Sequence, residues 1–168
     1  PLLTFTAEEI WLAMPHLAAD ERESVFLNLM PSYNPEWEFG SIVSHYNSLF
    51  DLRETVMKAL EIARADKKIG KSLDAKIDIY TTDKETYDLL ASFSEGDLED
   101  VFITSGVHVH NNVAPTDSSA YTDDEIALSV VVSIADGERC DRCWKYTTET
   151  THDGDGILCS RCASICLE

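Results

Sequence analysis

The chain has 168 residues, 44% of them hydrophobic and 26% charged, a composition typical of a folded globular protein and unlike that of a disordered tail. Its 13 basic and 31 acidic side chains give a net charge of −18, which excludes a protein that holds nucleic acid by bulk electrostatic attraction. We expect a soluble, cytosolic protein without a membrane partner, since no run approaches the roughly 18 apolar residues of a membrane span and no signal peptide is recognisable.

The first predicted element is a helix that begins at Thr6. Thr6 and Glu9 have the spacing of a capping box, and Phe5 and Ile10 have the spacing of a hydrophobic staple. The helix should end before Pro15, because proline lacks a backbone donor and disfavours helix in the residue before it. Since the chain has no initial Met and opens directly on this helix, we expect a piece of a longer protein.

A longer helix is predicted after a connecting segment, residues 15–40, that contains three prolines and little expected regular structure. It runs from Ile42 to about Asp66, because its apolar residues recur with a helical period: Leu49, Leu52, Val56, Leu60 and Ala63. Arg53 and Arg64 lie about three turns apart and should project from one strip beside this apolar face.

A small α/β module is predicted after the long helix. Ala75–Thr82 alternates like a strand, Asp83–Phe93 has the pattern of a short helix with Asp83 as its N-cap, and Val101–His110 and Glu125–Ala135 are further predicted strands. The residues between the last two strands, 111–124, are rich in Asn, Thr, Ser and Asp and predict a loop.

The basic residues are clustered, although the chain as a whole is acidic. Seven of the 13 lie between positions 53 and 76, namely Arg53, Lys58, Arg64, Lys67, Lys68, Lys71 and Lys76. Four acidic residues lie among them, so that the segment carries a charge of 7 − 4 = +3. Any nucleic-acid site must therefore be local.

The strongest chemical signal is a pair of C-x-x-C motifs near the C-terminus. Cys140, Cys143, Cys159 and Cys162 form two knuckles fifteen residues apart, the spacing of a four-cysteine zinc site. Four thiolates leave no open position for water, so the zinc would be structural. The alternatives are two disulfides or a redox dithiol, which a cytosolic setting disfavours. We expect the fifth cysteine, Cys166, to be a small packing residue in a final helical turn and not a ligand.

Aromatic and basic residues follow the first knuckle. Arg142 and Trp144 lie at its tip, with Lys145 and Tyr146 next to them. An exposed indole beside cationic groups is suited to stacking on an unpaired base. The alternative, equally compatible with the spacing, is that Trp144 covers the thiolates while Arg142 compensates their charge.

Two weaker signals have simpler explanations. Residues 69–72, IGKS, resemble the end of a phosphate-binding loop, but a helix precedes them and the earlier glycine position holds Ala65, so we expect a helix-terminating glycine followed by a turn. His108 and His110 share one face of a predicted strand and could bind a metal, but without a third ligand nearby we expect them to be surface residues.

Three segments together resemble the C-terminal end of bacterial-type isoleucyl-tRNA synthetases. They are PLLTFTAEEIW at residues 1–11, LRETVMKALEIARADKKIGKSLDAKI at 52–77, and GERCDRCWKY with LCSRCA between 137 and 163. The first is shared with the valyl and leucyl enzymes, whereas the basic helix followed by the cysteine knuckle is specific to the isoleucyl family.

The resemblance implies an α+β protein with three parts. Residues 1–70 would be the last helices of a class I helical anticodon-binding domain, 71–137 a small α/β junction domain, and 138–168 a zinc-binding domain holding one structural Zn²⁺ on the four cysteines.

The family ligates isoleucine to its tRNA with ATP, in a catalytic domain with HIGH-type and KMSKS-type motifs. Neither motif occurs in this chain, so we expect it to be inactive alone, with ATP bound only by the catalytic domain of a monomeric parent. Its partner would be the anticodon stem-loop of tRNA(Ile). The residues proposed to contact tRNA are Arg142, Trp144, Lys145, Arg53, Arg64, Lys68 and Lys71.

Two other classes of protein have a similar four-cysteine knuckle. DNA glycosylases of the formamidopyrimidine type have a C-terminal four-cysteine knuckle, but they act through an N-terminal proline followed by Glu, whereas Pro1 is followed here by Leu2. The other alternative is a zinc module that binds proteins.

Overall fold

The computed structural model describes residues 3–21, 23–30, 32–116, 119–154 and 156–166. These residues belong to two compact units, Pro1–Phe39 and Gly40–Glu168, which are described separately. None of the helices in the described ranges combines the length and the hydropathy that crossing a bilayer requires.

The first unit begins with helix α1, Thr4–Ala13. Its N-cap is Leu3, which forms no side-chain capping bond, so the predicted capping box at Thr6 is wrong. The predicted staple is wrong as well, because Phe5 lies inside the helix and is 89% exposed. The helix ends before Pro15 as predicted, since Met14 already has an extended backbone.

The connecting segment has little regular structure, as predicted. It contains two 3-10 turns, Val25–Leu27 and Pro35–Trp37. The Glu8 carboxylate of α1 accepts hydrogen bonds from the hydroxyl of Ser24 and the backbone N–H of Val25, both at 3.0 Å. These bonds attach the segment to the helix.

The second unit begins with the predicted long helix, α2, Gly40–Ala65. The five apolar residues that set its period are buried, as expected. The helix ends with Lys67 in the left-handed conformation (φ 58°) and a bond from Lys68 N–H to the carbonyl of Ala63, 2.9 Å long. The helix-terminating residue is therefore Lys67, and the expectation that Gly70 has this role is wrong.

A four-stranded sheet with two short helices follows. Its strands are β1, Ala75–Thr81; β2, Gly106–His110; β3, Tyr121–Asp123; and β4, Leu128–Ile134. The strand order is β2-β1-β4-β3, with β1 and β2 parallel and the other pairs antiparallel. Helices α3, Lys84–Ala91, and α4, Glu95–Phe102, form the crossover that a parallel pair requires.

The core lies between one face of the sheet and the helices. Residues in β1 alternate between buried and half-buried, as an amphipathic strand should, with Ile77 and Ile79 fully buried. They form one cluster with apolar residues of α2 and with Leu98 and Phe102 of α4. Helix α2 thus shares its core with the sheet, while the division at residues 70 and 137 stays a prediction.

Three boundaries in this module differ from the predictions. Residues predicted to begin the second strand form the end of α4, which starts at a Ser94–Asp97 capping box that the sequence reading missed. Residues 125–127 form a turn before β4. The predicted loop 111–124 contains the short strand β3, and its residues 117 and 118 lie outside the described ranges. Strand β1 and helix α3 are confirmed, with Asp83 as the N-cap of α3.

The C-terminal region, residues 138–166, consists of small elements. They are β5, Glu138–Arg139; β6, Tyr146–Thr147; β7, Thr150–Asp153; β8, Gly156–Cys159; and α5, Ser160–Cys166. Strands β5 and β6 form one hairpin and β7 and β8 another, both antiparallel. Cys166 lies in a final helix as predicted, but its side chain is exposed, so the packing role expected for it is wrong.

Candidate metal centre and nucleic-acid interface

Four cysteine sulfurs converge at one point in the C-terminal region. The Sγ atoms of Cys140, Cys143, Cys159 and Cys162 all lie within 4.8 Å of one another. The Sγ atoms of Cys143 and Cys159 are 3.8 Å apart, far longer than the ~2.05 Å of a disulfide. A tetrahedral ion with arms of ~2.3 Å has edges of about 3.8 Å. The thiols are free, and they are placed to hold one metal ion.

Short backbone bonds shape each knuckle. The first lies in the turn between β5 and β6, where Cys140 N–H donates to the carbonyl of Lys145 and Trp144 N–H donates to the carbonyl of Cys140, both at 2.9 Å. The second joins the end of β8 to the first turn of α5. Asp141 and Ile157 exchange two bonds of 2.8 and 2.9 Å, which hold the two knuckles together.

Hydrogen bonds to sulfur and burial have opposite effects on the cysteine thiols. Burial would raise the pKa of Cys140, but the backbone N–H groups of Cys143, Cys159 and Arg142 stabilise its thiolate and lower the pKa to about 6. Burial raises the pKa of Cys143 and of Cys159 above the ordinary value. A metal ion would overcome that effect by binding the thiolates directly.

Arg161 compensates part of the negative charge that four thiolates would carry. Burial opposes its charge, but a hydrogen bond to Cys143 and the nearby Asp100 raise the pKa of the guanidinium. Cys140 and Cys162 are buried, whereas Cys143 and Cys159 are half-buried on the side of Arg161. The donor set thus fits a closed four-thiolate site with a cation beside its open side.

Lys145 attaches the first knuckle to α4. Its ammonium lies 3.1 Å from the carboxylate of Glu99 and 2.6 Å from that of Asp100, and the Lys145 side chain is 18% exposed. Burial opposes its charge, but these two carboxylates raise the pKa of Lys145. The charge of Lys145, which was proposed from sequence to contact tRNA, is therefore already paired with carboxylates of the same chain.

Ser105 and Gly137 complete the junction between the sheet and the knuckle. The Ser105 hydroxyl accepts a bond from Tyr146 N–H at 2.8 Å and donates to the carbonyl of Leu73 at 2.6 Å. Gly137 has a φ of 88°, and a Cβ there would lie 2.1 Å from the carbonyl oxygen of Thr147. Only glycine permits this close crossing of the two chain segments.

Trp144 and Arg142 lie at the exposed tip of the first knuckle. Trp144 is 57% exposed and has a left-handed backbone with a φ of 66°. Lys71, from the loop after α2, places its ammonium 6.0 Å from the centroid of the indole ring. The exposure favours an indole available for stacking over one that only covers the thiolates.

A cleft of about 320 Å³ lies beside Trp144. It is lined by Gly70, Lys71, Leu73, Asp74, Arg139 and Trp144. The structure thus brings together two segments that sequence reasoning treated separately, the IGKS loop and the knuckle tip. Arg139 was missed, although its position next to Cys140 was a signal that it would lie beside the knuckle.

The other basic residues proposed to contact tRNA lie along α2 or just after it, and they bind protein groups. Arg53 Nε donates to the carbonyl of Val101 at 2.8 Å, and Arg64 binds the hydroxyl of Ser72 at 3.0 Å and the carboxylate of Glu61. Lys68 is exposed, with its ammonium 3.3 Å from the Ser119 hydroxyl. These residues do not converge on Trp144.

The residues of the two weaker signals bind groups of the protein itself. In the IGKS loop, the N–H groups of Gly70 and Lys71 donate to the carboxylate of Asp74, which occupies the position an anion would need. His110 lies 2.7 Å from the carboxylate of Asp78, and His108 3.5 Å from that of Glu95, both at the sheet surface as predicted. Pro1 and Leu2, on which the glycosylase alternative depends, lie outside the described residues.

Comparison with known proteins gives a consistent result. The family described as "Anticodon-binding domain of tRNA ligase" matches residues 1–79. An isoleucine–tRNA ligase of Thermoanaerobacter sp. (strain X514) is 45% identical over 98% of this chain, and those of Kosmotoga olearia and Bacillus mycoides are each 37% identical, over 98% and 100%.

These matches cover 17%, 17% and 18% of the three relatives, so the chain spans about a sixth of their length. Because the matches extend over almost all of the chain, they include both the anticodon-binding segment and the cysteine knuckles. The chain therefore belongs to the isoleucine–tRNA ligase family and corresponds to the C-terminal region of those enzymes.

Proposed function

We propose that this chain is the tRNA-recognition part of an isoleucine–tRNA ligase and reads the anticodon stem-loop of tRNA(Ile). The observation that carries the proposal is the exposed Trp144 beside Arg142, on a knuckle that four cysteines can lock around a metal ion. An unpaired base of the loop would stack on the indole, a contact worth about 1–3 kcal/mol. Arg142 would add a cation at the edge of that stack.

We propose zinc as the metal. Cys140, Cys143, Cys159 and Cys162 would hold one Zn²⁺, because thiolates in this spacing form the closed tetrahedral shell that zinc prefers. Bound zinc supplies folding free energy and takes no part in chemistry, since four sulfurs leave no position for a substrate. The residues of the chain do the recognition: the backbone N–H groups fix the thiolates and the turn presents Trp144.

The remaining part of the ligase would carry out the reaction. It would bind ATP and isoleucine, while this chain holds the distal end of the tRNA, in the cytoplasm and in a monomeric parent. The 168-residue chain alone should therefore give no isoleucine-dependent ATP–pyrophosphate exchange. Exchange above the background of a heat-treated sample would contradict this assignment.

The acidic surface limits how the chain can bind RNA. A charge of −18 repels phosphates at long range, so binding must depend on local cations and should be detectable mainly at low ionic strength. The wider set Lys145, Arg53, Arg64, Lys68 and Lys71 remains part of the proposal. Of these residues, Lys71 is the best placed to contact a nucleotide stacked on Trp144, because its ammonium lies 6.0 Å from the centroid of the indole ring.

The experiment compares two exposed tryptophans. Trp144→Ala should weaken binding of a hairpin RNA carrying the isoleucine anticodon by about 5- to 150-fold, the loss expected for one stacked base. Trp37→Ala is the matched control, because Trp37 is 59% exposed but far along the chain from the knuckle. An affinity of Trp144→Ala equal to that of the unsubstituted chain in fluorescence polarisation at low salt would reject the proposal.

A further inference from the structure

Few cations in the described part of this acidic chain lack an ion pair or a hydrogen bond to another residue. Among the described Lys and Arg residues, eight side chains form an ion pair or hydrogen bond with another described residue: Arg53, Lys58, Arg64, Lys68, Lys76, Lys84, Lys145 and Arg161. Four side chains in the described ranges form neither: Lys67, Lys71, Arg139 and Arg142. Three of these four lie around Trp144, Lys71 and Arg139 in the cleft beside it and Arg142 two residues before it.

The cleft contains one carboxylate besides its two cations, Lys71 and Arg139. Asp74 lines it, but its carboxylate accepts the N–H groups of Gly70 and Lys71 at 3.2 and 2.6 Å. Glu138, the neighbour of Arg139 in β5, accepts a bond from the Thr150 hydroxyl at 2.9 Å instead. Successive side chains of a strand point to opposite faces, so Glu138 and Arg139 face different ways.

An exposed indole that lines the same cleft as two cations matches one chemical class of ligand. A nucleotide combines a planar base, which stacks on an indole, with a phosphate, which binds ammonium and guanidinium groups. We infer that Lys71 and Arg139 hold a backbone phosphate of the nucleotide whose base stacks on Trp144. The inference rests on the proposed function and extends it, because it assigns a phosphate site to Arg139 and to a loop outside the zinc region.

The two kinds of contact respond differently to salt. A phosphate contact releases counterions, so each one contributes about 0.7 to 1 to the slope of log affinity against log salt concentration. A stacked base contributes to affinity with little effect on that slope. Salt dependence therefore separates the role of Lys71 and Arg139 from that of Trp144.

The test measures binding of the isoleucine-anticodon hairpin RNA to the zinc-loaded 168-residue chain over a range of KCl concentrations. Lys71→Gln and Arg139→Gln should each lower the slope, and the double variant should lower it by about 0.7 to 1, because the two cations share one phosphate; Arg139→Lys should retain most of the slope. Trp144→Ala should lower affinity with the slope unchanged. Lys67→Gln is the matched control, because it removes a cation without a described partner outside the cleft. Zinc content and circular dichroism of each variant check that it is folded.

The outcomes separate the two proposals. If Lys71→Gln and Arg139→Gln behave like Lys67→Gln while Trp144→Ala still weakens binding, the phosphate site is overturned and the proposed function stands. If Trp144→Ala binds like the unsubstituted chain, or if the unsubstituted chain does not bind the hairpin at the lowest salt concentration, the proposed function fails and this inference fails with it.

Discussion

The sheet module, residues 40–135, and the C-terminal region, residues 138–166, are stabilised in different ways. Apart from Cys140 and Cys162, all the buried apolar residues in the described ranges lie before residue 136. The sheet module thus has a hydrophobic core that includes Phe102, Leu49 and Ile77, while the C-terminal region buries two sulfurs and little else. A segment this small is expected to depend on its metal for folding.

This difference means that the proposed recognition surface and the sheet that supports it can lose their structure separately. The sheet should fold without zinc, because its core contains none of the ligands. The tip with Trp144 should not, because the turn that presents it is closed around the cysteines. Four substitutions test this contrast, in order of decreasing effect.

The largest effect is expected for Cys140→Ser. It removes one of the four sulfurs that we propose to hold Zn²⁺, and with it much of the roughly 10–16 kcal/mol that structural zinc supplies to small domains. In NMR spectra, amide signals of residues 138–166 should collapse to unfolded positions, while those of β1 and β4 keep their dispersion. Cys166→Ser is the control, since Cys166 is exposed and outside the cluster, and it should bind zinc normally. If the amide signals of β1 and β4 also lost their dispersion, the sheet module would not fold independently of the metal site.

The next largest effect is expected for Phe102→Ala. Phe102 is fully buried in the core, so the substitution should lower the free energy of unfolding of the sheet module by about 3–5 kcal/mol. Urea unfolding followed by circular dichroism measures the loss. Phe50→Ala, at a side chain that is 51% exposed, should cost much less. Similar costs for both would show that Phe102 does not support the core as described.

A smaller effect is expected for Lys145→Ala, which cuts the link between the two regions. Lys145 and Glu99 are mostly buried and Asp100 is exposed, so the loss should lie between that of a surface ion pair and that of a buried one, about 1–3 kcal/mol. Zinc should stay bound, but hydrogen exchange of the Cys140 and Tyr146 amides should become faster. Lys84→Ala is the control, because it removes an exposed ion pair within α3 and should leave those amides unchanged. An unchanged exchange rate in Lys145→Ala would mean that the link does not hold the knuckle.

The smallest effect is expected at Asp83, the N-cap of α3. Its hydrogen bonds with the N–H and the hydroxyl of Thr86 lower the pKa of the carboxyl. A lowered folded-state pKa means that the stabilisation is present above the unfolded pKa of ~3.9 and is lost as the pH falls through the lower folded value.

Asp83→Ala should therefore lower the Tm slightly at pH 7 and less at pH 2. Asp83→Asn keeps a capping acceptor but has no charge. Its Tm should therefore lack the contribution of the ionised Asp83 carboxylate, which the unsubstituted chain loses as the pH falls. Thermal scans at both pH values measure these shifts. A deficit of Asp83→Ala that is the same at both pH values would contradict a role for the ionised carboxylate.

The sequence predicted best what depends on local chemistry. The cysteine spacing identified the four converging sulfurs, and the periods of α2 and β1 identified their buried faces. Asp83 signalled the start of α3 because capping uses residues adjacent in sequence.

Predictions failed where two local signals competed or where contacts are distant. Residues 101–110, VFITSGVHVH, are rich in the β-branched and aromatic residues that favour strands. The Ser94 capping box nevertheless starts α4, and Ile103 ends it in a left-handed conformation before β2 begins. The attachment of Lys145 to Glu99 and Asp100 joins residues about 45 positions apart, and no local pattern indicates it. For the same reason, the sequence could not show that Lys71 and Arg139 line the same cleft.

The bonds of Ser105 have a consequence for the thermodynamics of recognition. Through one hydroxyl, the backbone of Tyr146 is fixed to the loop that carries Lys71, so the aromatic and basic groups are held at a set spacing before any ligand arrives. A preorganised surface loses little conformational entropy on association. Calorimetry of RNA binding should then find a more unfavourable entropy for Ser105→Ala than for the unsubstituted chain, because the loosened tip must become ordered in the complex.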